Sequence, residues 1–296
     1  MEFNSRTRIN LSPLAKAIIK RDMLIFNAIA TFNEGSFINL IIQSYLKKDF
    51  DINYSYSKLK GDSKTYYIQD ENIDKLEYFK DDNRAMNQFT TSSEFLKAVV
   101  ESYCRKSCLE REYIILRESI DEMNYAIENH KKIKLTIQNK TTSDLMPYKI
   151  APANEMIFSY LIADDGNRFA AYRISTIKAI RTLNKEFKPK KDEFAKIEDL
   201  IIEYGPTFAF EPNEEVIVQF LTPESEASYL YSAIHRPIHT QIIDTKNRIY
   251  KFYCSMKQAK YFFFRFCGDV KILKPTKLKE TLKNMYKSGF EEMSKD

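Results

Sequence analysis

The most constraining feature of the sequence is a tight-turn signal inside a basic, strand-rich stretch. Asp165-Gly166 lies between two strand-like runs, the first beginning at Met156 and the second ending at Ile174. Asp-Gly is a preferred pair for a type I′ turn, because glycine accepts positive φ and the twist of this turn matches that of the flanking strands. The sequence therefore predicts a β-hairpin centred on this pair.

Positive charge is concentrated around the predicted hairpin. From Lys131 to Lys191 there are 13 Lys and Arg residues against five Asp and Glu, a net charge of +8, whereas the whole chain of 296 residues carries +5. Cations bind phosphates, and aromatic rings between them can stack on unpaired bases. The sequence predicts such a site from Lys132, Lys134, Lys149, Arg168, Arg173, Lys178 and Arg181, interleaved with Tyr148, Tyr160 and Tyr172.

Two of these rings and one of the cations have an alternative role. Tyr160 and Tyr172 also suit the core of a small barrel, and the pattern does not decide between core and base stacking. Arg173 lies beside apolar neighbours, where a charge costs free energy unless another group pairs with it. We therefore expect Arg173 to have a partner.

Three segments of this stretch, together with the two strands of the hairpin, predict five short strands. Ile133 to Ile137 alternates polar and apolar residues, and Thr176 to Thr182 forms a last, bent strand. Met146 to Pro152 contains two prolines, which strands tolerate mainly at sheet edges, so we expect it at an edge. Five short, bent strands indicate a small open barrel.

At these residues the sequence resembles the WYL-domain family. Tyr160-Leu161 lies in an apolar strand after Pro152, and Tyr172-Arg173-Ile174 follows one turn later, as in the two motif strands of that family. Two positions depart from the family pattern: Ser159 replaces its tryptophan, and Thr176 replaces a second arginine. The resemblance covers about Ile133 to Leu183 and implies an Sm-like small β-barrel, a scaffold that holds RNA in several families.

The C-terminal part carries a second resemblance to WYL proteins. Gly268, the short strand Val270 to Leu273 and Pro275 precede the last helix, as in the extension that follows WYL domains. Upstream, the order strand, helix, strand, strand, helix, strand predicts a split α+β layer.

The N-terminal residues predict a strand followed by two helices. Residues 6–12 alternate polar and apolar positions, Ser12-Pro13 suits a helix start, and this helix is expected to end near Ala30. A second helix is predicted from Phe37 to Lys48 by the spacing of its apolar residues. This order resembles a ribbon-helix-helix unit, in which two strands pair and enter a DNA groove.

The same pattern recurs 58 positions later. Phe95 to Lys106 aligns with Phe37 to Lys48 without a gap, whereas the strand and first helix align weakly. A ribbon-helix-helix unit needs a partner to bury its core, so a second copy predicts an intramolecular pseudo-dimer. The alternative is that Tyr54 to Thr91 is an unrelated connector.

The ribbon supplies a second candidate interface. With Ile9 and Leu11 facing the core, the outward side chains are Arg6, Arg8 and Asn10, which can contact bases or phosphates or simply be solvated. The second strand is expected to present Lys64, Tyr66 and Ile68, a set poorly suited to reading bases. Helices starting at Ser36 and Ser93 offer free backbone N–H groups to phosphate, although such starts are common without a ligand.

The predicted fold class is α+β with four parts. Residues 104–129 read as a long, charged, solvated helix that connects the N-terminal module to the barrel. The parts are a tandem ribbon-helix-helix pseudo-dimer (1–109), a helical connector (110–130), the WYL Sm-like barrel (131–187) and a sandwich-like α/β dimerisation extension (188–296).

The sequence disfavours catalysis, bound metals and cofactors. The four cysteines form no Cys-x-x-Cys pair, and Pro237 interrupts a helix between His235 and His239, so these histidines are expected to be surface or capping groups. No glycine-rich phosphate loop and no nucleophile–histidine–acid constellation occurs. No apolar run approaches the ~20 residues of a membrane span, so we expect a cytoplasmic non-enzyme without cofactor or membrane partner.

Two functions remain from the sequence. The first is an accessory protein that binds single-stranded RNA through the barrel, because the arrangement resembles the WYL accessory proteins of type VI-D CRISPR systems, whose implied role is to enhance an RNA-targeting effector. The second is a transcriptional regulator whose ribbon reads DNA and whose WYL domain senses a ligand. The aromatic run Tyr261 to Phe264 also predicts a homodimer through the C-terminal part.

Overall fold

The computed structural model describes residues 2–26, 33–82, 88–137, 140–153, 158–232 and 236–294. The chain divides into two compact units, Met1–Pro189 and Lys190–Asp296. In the described ranges the fold is mixed α+β, with ten α-helices and three sheets, none of which closes into a barrel. The finer, four-part division of the chain stays a prediction.

The first unit begins with a two-stranded ribbon and four helices. Ser12 starts the first helix as predicted, because its side chain accepts the backbone N–H of Ala15. The predicted end of that helix near Ala30 lies outside the described residues. The elements are β1 (Arg6–Leu11), α1 (Pro13–Ile25), α2 (Glu34–Leu46), β2 (Asp62–Tyr67), α3 (Asp70–Asp82) and α4 (Ser92–Cys104).

The order strand, helix, helix occurs twice in this region. β1 and β2 pair antiparallel, with Arg6 opposite Tyr67 and Leu11 opposite Asp62. Helices α2 and α4 bury side chains at the offset of 58 positions found in the sequence. The buried pairs are Phe37 and Phe95, Ile38 and Leu96, Ile41 and Val99, Ile42 and Val100, and Tyr45 and Tyr103.

Two buried carboxylates tie these helices together. Asp22 of α1 accepts hydrogen bonds from the Arg111 guanidinium (2.7 and 3.2 Å) and from the Tyr103 hydroxyl (2.8 Å). Glu101 of α4 accepts from the Ser12 backbone N–H (2.7 Å) and hydroxyl (2.9 Å). Removing one partner of such a buried pair typically costs about 3–5 kcal/mol, so these contacts fix how the helices pack.

The predicted long, solvated connector is wrong. The chain instead forms two short helices, α5 (Cys108–Ile115) and α6 (Arg117–Glu128), and Ser107 caps the first of them. Charged residues alternate with apolar ones along these helices, so the charges led us to expect a solvated helix although the apolar face is part of the core. The buried side chains on it are Ile114, Ile115, Leu116, Ile120, Met123 and Ala126.

A five-stranded antiparallel sheet completes the first unit. Its strand order is β6-β5-β4-β3-β7, and a single 3-10 turn, Ile174–Thr176, joins β6 to β7. Helix α6 packs on β3, β4 and β7. The strands are β3 (Lys131–Ile137), β4 (Lys140–Ala153), β5 (Phe158–Asp164), β6 (Phe169–Arg173) and β7 (Ile177–Glu186).

The proline-containing segment predicted at an edge, Met146 to Pro152, pairs only with β5 among the described strands. β4 as a whole lies between β5 and β3, but β3 pairs with the earlier part of β4, from Lys140 to Leu145. The pairing of β4 with β5 shifts between Pro147 and Lys149, so a β-bulge accommodates the missing proline N–H.

The hairpin is present, but its turn lies one residue later than predicted. β5 and β6 pair antiparallel, and the Asp165 N–H donates to the Arg168 carbonyl (3.1 Å), so Gly166 and Asn167 are the central residues. Gly166 has a φ of 95°, as the first central position of a type II′ turn requires. The start of the predicted first strand, Met156 and Ile157, lies outside the described residues.

The second unit has its own sheet and core. The order β11-β8-β10-β9, antiparallel throughout, is that of a split β-α-β arrangement, and the predicted succession of elements is observed. The core gathers Val216, Val218, Phe252 and Leu278 between sheet and helices. The elements are α7 (Lys191–Tyr204), β8 (Asn213–Phe220), α8 (Pro223–Tyr231), β9 (His239–Asp244), β10 (Ile249–Ser255), α9 (Met256–Phe264), β11 (Val270–Lys274) and α10 (Thr276–Met293).

Candidate nucleic-acid interface

Two predicted cations meet on the five-stranded sheet. Lys134 of β3 lies directly opposite Arg181 of β7, and both side chains are exposed. The alternation of β3 explains this, because its neighbours Ile133 and Leu135 are buried on the other face. In the described part of the chain, neither cation forms an ion pair. We call Lys134 and Arg181 the cation pair.

The cation pair is an unfavourable arrangement in the protein alone. Like charges directly opposite each other on neighbouring strands destabilise a sheet. A phosphate group placed between them would relieve this repulsion and gain two charge-assisted hydrogen bonds. The pair is therefore suited to binding an anion.

Three other predicted cations, Lys149, Arg168 and Lys178, are exposed but lie elsewhere on the sheet, and Lys132 of β3 is only partly exposed. Lys178 lies near the start of β7, where the pairing with β3 shifts register, and Lys149 lies on β4. Arg168 closes the β5–β6 turn, where the Asp165 carboxylate accepts the backbone N–H groups of Asn167 (2.9 Å) and Arg168 (3.0 Å). These hydrogen bonds hold the pKa of Asp165 below its usual range.

Tyr160 and Arg173 are neighbours on the sheet, but they are not open to solvent. They face each other across β5 and β6, and Tyr160 is only 8% exposed. The Arg173 guanidinium lies 3.3 Å from the centroid of the Phe158 ring, and its Nε donates to the Ser175 hydroxyl (2.7 Å). Arg173 therefore has partners, as expected, and they are the Phe158 ring and the Ser175 hydroxyl.

A buried carboxylate lies next to this arginine. Glu112 of α5 is fully buried, and its Oε2 accepts the backbone N–H of Ser159 (2.7 Å). Burial raises the pKa of Glu112, while the bond from Ser159 and the positive charge of Arg173 oppose the rise. We call Glu112, Ser159, Arg173 and Ser175 the α5–sheet junction.

Glu112 was not among the residues predicted from the sequence. It lies 47 positions before Ser159, inside a run of charged helical residues that shows no motif. The donor is the backbone N–H of Ser159, a group that every residue except proline has, so the identity of the side chain does not reveal the contact. No signal in the local sequence marks such a contact.

Tyr172 lies on the opposite face of the sheet from Arg173. It faces Leu161 across β5 and packs half-buried against the hydrophobic core. Burial raises the pKa of its hydroxyl. The structure thus brings together Lys134 with Arg181 and Tyr160 with Arg173, and it places Tyr172 on another face.

The ribbon presents Arg6 and Arg8 outward, with Thr7, Ile9 and Leu11 buried beneath. Asn10 is half-buried, and its Oδ1 has no hydrogen-bond partner among the described residues.

The outward set expected of the second strand is wrong. Tyr66 and Ile68 are buried, because the strand phase differs by one residue from that expected, and a one-residue change moves every side chain to the other face. Only Lys64 is exposed, and it is paired with Glu34. The pairing places Ser63 opposite Asn10, Thr65 opposite Arg8 and Tyr67 opposite Arg6.

The two helix starts near the ribbon are poor phosphate sites. The helices begin at Glu34 and Ser92, earlier than predicted, and the side chains of Asn33 and Thr91 cap them. Glu34 and Glu94 lie in the first turns, where their charge opposes an anion. The Ser93 hydroxyl donates to the Arg8 carbonyl instead.

Metal-binding clusters are not found in the ranges that the structure describes, where no group of three or more His, Cys, Asp or Glu side chains is placed to hold an ion. His235 lies outside those ranges, and the Nδ1 of His239 is 2.9 Å from the Tyr229 hydroxyl. Among the described helices, none is both long and apolar enough to span a membrane.

The fold and surface define a mixed α+β protein with an exposed, cationic five-stranded sheet. No protein-family model matches the sequence, and a search of curated proteins gives no match. The fold is similar to a solved structure described as "Crystal structure of a CRISPR Cas-related protein", with a TM-score of 0.77 and 22% identity over 99% of this chain and 95% of that one. At this identity the likeness shows a shared fold.

A second solved structure is more distant. Proteasome accessory factor B/C (PafBC) of Arthrobacter aurescens overlaps 75% of this chain and 36% of its own, with 11% identity and a TM-score of 0.33. An overlap of this quality carries no argument about fold.

Proposed function

We propose that this protein is a non-enzymatic accessory protein of a CRISPR system that binds single-stranded RNA through its five-stranded sheet. The observation that carries the proposal is the cation pair, which is exposed and lacks a carboxylate partner in the described residues. The shared fold with a CRISPR Cas-related protein supports the CRISPR context. In this role the protein enhances a type VI-D RNA-targeting effector.

The architecture supports an assignment to the WYL family. The strand order β6-β5-β4-β3-β7, with one 3-10 turn before the last strand, fits an Sm-like barrel that is left open. The antiparallel pairing of β1 and β2, with two helices after each strand, fits a tandem ribbon-helix-helix pseudo-dimer.

Titrations with labelled nucleic acids test the proposal. Wild type, Lys134→Ala/Arg181→Ala and Arg6→Ala/Arg8→Ala are each titrated with single-stranded RNA and with duplex DNA at one salt concentration. The proposal expects wild type to bind RNA, the sheet variant to lose affinity for it and the ribbon variant to keep it. It fails if wild type binds duplex DNA alone and only the ribbon variant loses that binding.

A second candidate function is DNA recognition by the ribbon. The observation that favours it is the corrected outward face, which places Arg6, Arg8 and Asn10 opposite Tyr67, Thr65 and Ser63. Arginine, asparagine and hydroxyl side chains are the groups that contact base edges and phosphates in a major groove. In this case the protein is a transcriptional regulator whose sheet senses a ligand, and the same titrations separate the two candidates.

We also propose a homodimer through the second unit. The aromatic run Tyr261 to Phe264, from which the dimer was predicted, supports it less strongly in the structure, because Phe262 and Phe263 belong to the core of that unit. Tyr261 and Phe264 remain exposed, at 46% and 39%. Light scattering at micromolar concentration tests the dimer, and a monomeric mass would refute it.

A further inference from the structure

Four aromatic rings contact one another in succession on the first unit. The centroid distances are 5.9 Å from His130 to Phe187, 5.5 Å from Phe187 to Tyr148 and 5.0 Å from Tyr148 to Phe169. His130 is exposed and the other three rings are partly exposed. We call these four residues the aromatic row.

The aromatic row is assembled from four separate segments. His130 precedes β3 and Phe187 follows β7, and the Phe187 N–H donates to the His130 carbonyl (2.9 Å). Tyr148 is the extra residue of the bulge in β4, and bulges re-aim a side chain away from the regular alternation. Phe169 is the first residue of β6 after the turn.

Among the described residues, three of these rings lie outside both hydrophobic core clusters. Neither core cluster includes Tyr148, Phe169 or Phe187, whereas Tyr172 of the same sheet packs against the first cluster. Rings that stay partly exposed keep a hydration cost that core burial would have removed. A contiguous group of partly exposed rings offers flat apolar faces on which a ligand can stack.

Each ring is next in sequence to a cation. Lys131 follows His130, Lys149 follows Tyr148, Arg168 precedes Phe169 and Lys188 follows Phe187. Proteins that bind unpaired polynucleotides combine rings on which bases stack with cations that meet phosphates, and each ring of the row has a cation one residue away along the chain.

We propose that the aromatic row is the stacking platform on which consecutive unpaired bases of an RNA strand lie. The inference deepens the proposed function and rests on it, since it names the rings that hold the RNA. It also relocates base stacking away from Tyr160 and Tyr172, which are buried or directed to the core. Stacking is indifferent to base identity, so the row binds RNA with little sequence preference.

The absence of tryptophan from the sequence gives a direct test. Tyr148→Trp and Phe169→Trp each introduce one tryptophan into the row, and Tyr125→Trp introduces one at a ring on α6 that is 49% exposed and outside the row. Each variant is titrated with an unstructured RNA of about ten nucleotides, a length within the usual single-strand site size. We expect fluorescence quenching in both row variants and none in the control.

Removal of a ring tests the contribution to affinity. Tyr148→Leu and Phe169→Leu are each expected to weaken RNA binding by about 5- to 100-fold, the effect of losing one stacked base, while Tyr125→Leu leaves it unchanged. The salt dependence of binding should not change, because no cation is removed. Thermal unfolding shows whether each variant is folded, and the tryptophan variants, which keep a ring, carry the test if the leucine variants are not.

The outcomes separate this inference from the proposed function. If wild type does not bind single-stranded RNA, the proposed function fails and the inference fails with it. If wild type binds RNA but neither row tryptophan is quenched, the aromatic row is not the platform, and RNA binding through the cation pair stands.

Discussion

The α5–sheet junction and the cation pair place arginines of one five-stranded sheet in opposite situations. In the junction, Arg173 stacks on Phe158 beside the buried Glu112. In the cation pair, Arg181 is exposed opposite a second cation and has no acidic partner in the described residues. The charge of Arg173 is met by contacts within the protein, whereas the charge of Arg181 is left for an anion from outside.

The difference shows that a charged residue in a motif can serve the structure of the protein, while charged residues outside the motif face solvent. Arg173 belongs to the motif by which the sequence resembles a known family, and its contacts are internal. Lys134 and Arg181 belong to no motif, yet their charges face solvent. In this chain the motif arginine contributes to the joint between α5 and the sheet, whereas the two exposed cations lie outside the motif.

The largest expected effect is on stability at the junction. Arg173→Ala leaves the buried Glu112 without its nearby cation and removes the contact with Phe158, so we expect the free energy of unfolding to fall by about 2–3 kcal/mol. Lys134→Ala, the matched surface control, should change it by less than about 0.5 kcal/mol. Urea unfolding measures both changes. Equal decreases in the free energy of unfolding would show that Arg173 contributes no more to stability than an exposed cation does.

The next effect concerns RNA affinity at the cation pair. Lys134→Ala/Arg181→Ala removes two phosphate contacts, so binding of single-stranded RNA should weaken by about tenfold and the slope of log affinity against log salt should fall by about 1.4. Lys279→Ala/Lys283→Ala, a pair of exposed lysines on α10, is the control. An unchanged slope in the sheet variant would show that the pair does not contact phosphate.

A pH effect sharpens the description of the junction. The pKa of Glu112 is raised in the folded protein, so between its ordinary value of 4.5 and the raised value the folded state binds more protons than the unfolded one. The free energy of unfolding therefore falls as pH rises through that window. Glu112→Gln removes this contribution, so the variant should gain stability relative to wild type at pH 8 compared with pH 4. An identical difference at both pH values would contradict the raised pKa.

The smallest expected effect is on RNA binding by Tyr172. Its ring packs against the core, so Tyr172→Leu should leave RNA affinity within about twofold, a change below 0.5 kcal/mol. The same titration with Tyr148→Leu provides the contrast. A large loss of RNA affinity in Tyr172→Leu would show that Tyr172 stacks on a base, as the sequence predicted.

Local patterns allowed much of the fold to be predicted. The hairpin, the helix start at Ser12, the outward direction of Arg6 and Arg8 and the succession of elements in the second unit all depend on neighbours within a few residues. The strand phase of β2 was missed because Ser63, Lys64 and Thr65 are all exposed, so the strand has no alternation to read.

The candidate site was harder to predict, because its contacts span long distances in sequence. Net charge indicated a basic sheet, but the direct pairing of Lys134 with Arg181 depends on the register of strands that are far apart in the chain. Glu112 contacts Ser159, which lies 47 positions later in the chain. The aromatic row depends on the bulge at Tyr148, and the neighbouring Pro147 is compatible with a bulge but does not predict one.

The pairing of β1 with β2 within one polypeptide has a further consequence. A ribbon built from two identical chains dissociates on dilution and must show the same side chains in both halves, which suits a palindromic target. Here assembly is unimolecular, so the ribbon persists at any concentration. Its two strands differ, with two arginines on one strand facing a tyrosine and a threonine on the other, so the surface of the ribbon has no internal two-fold symmetry.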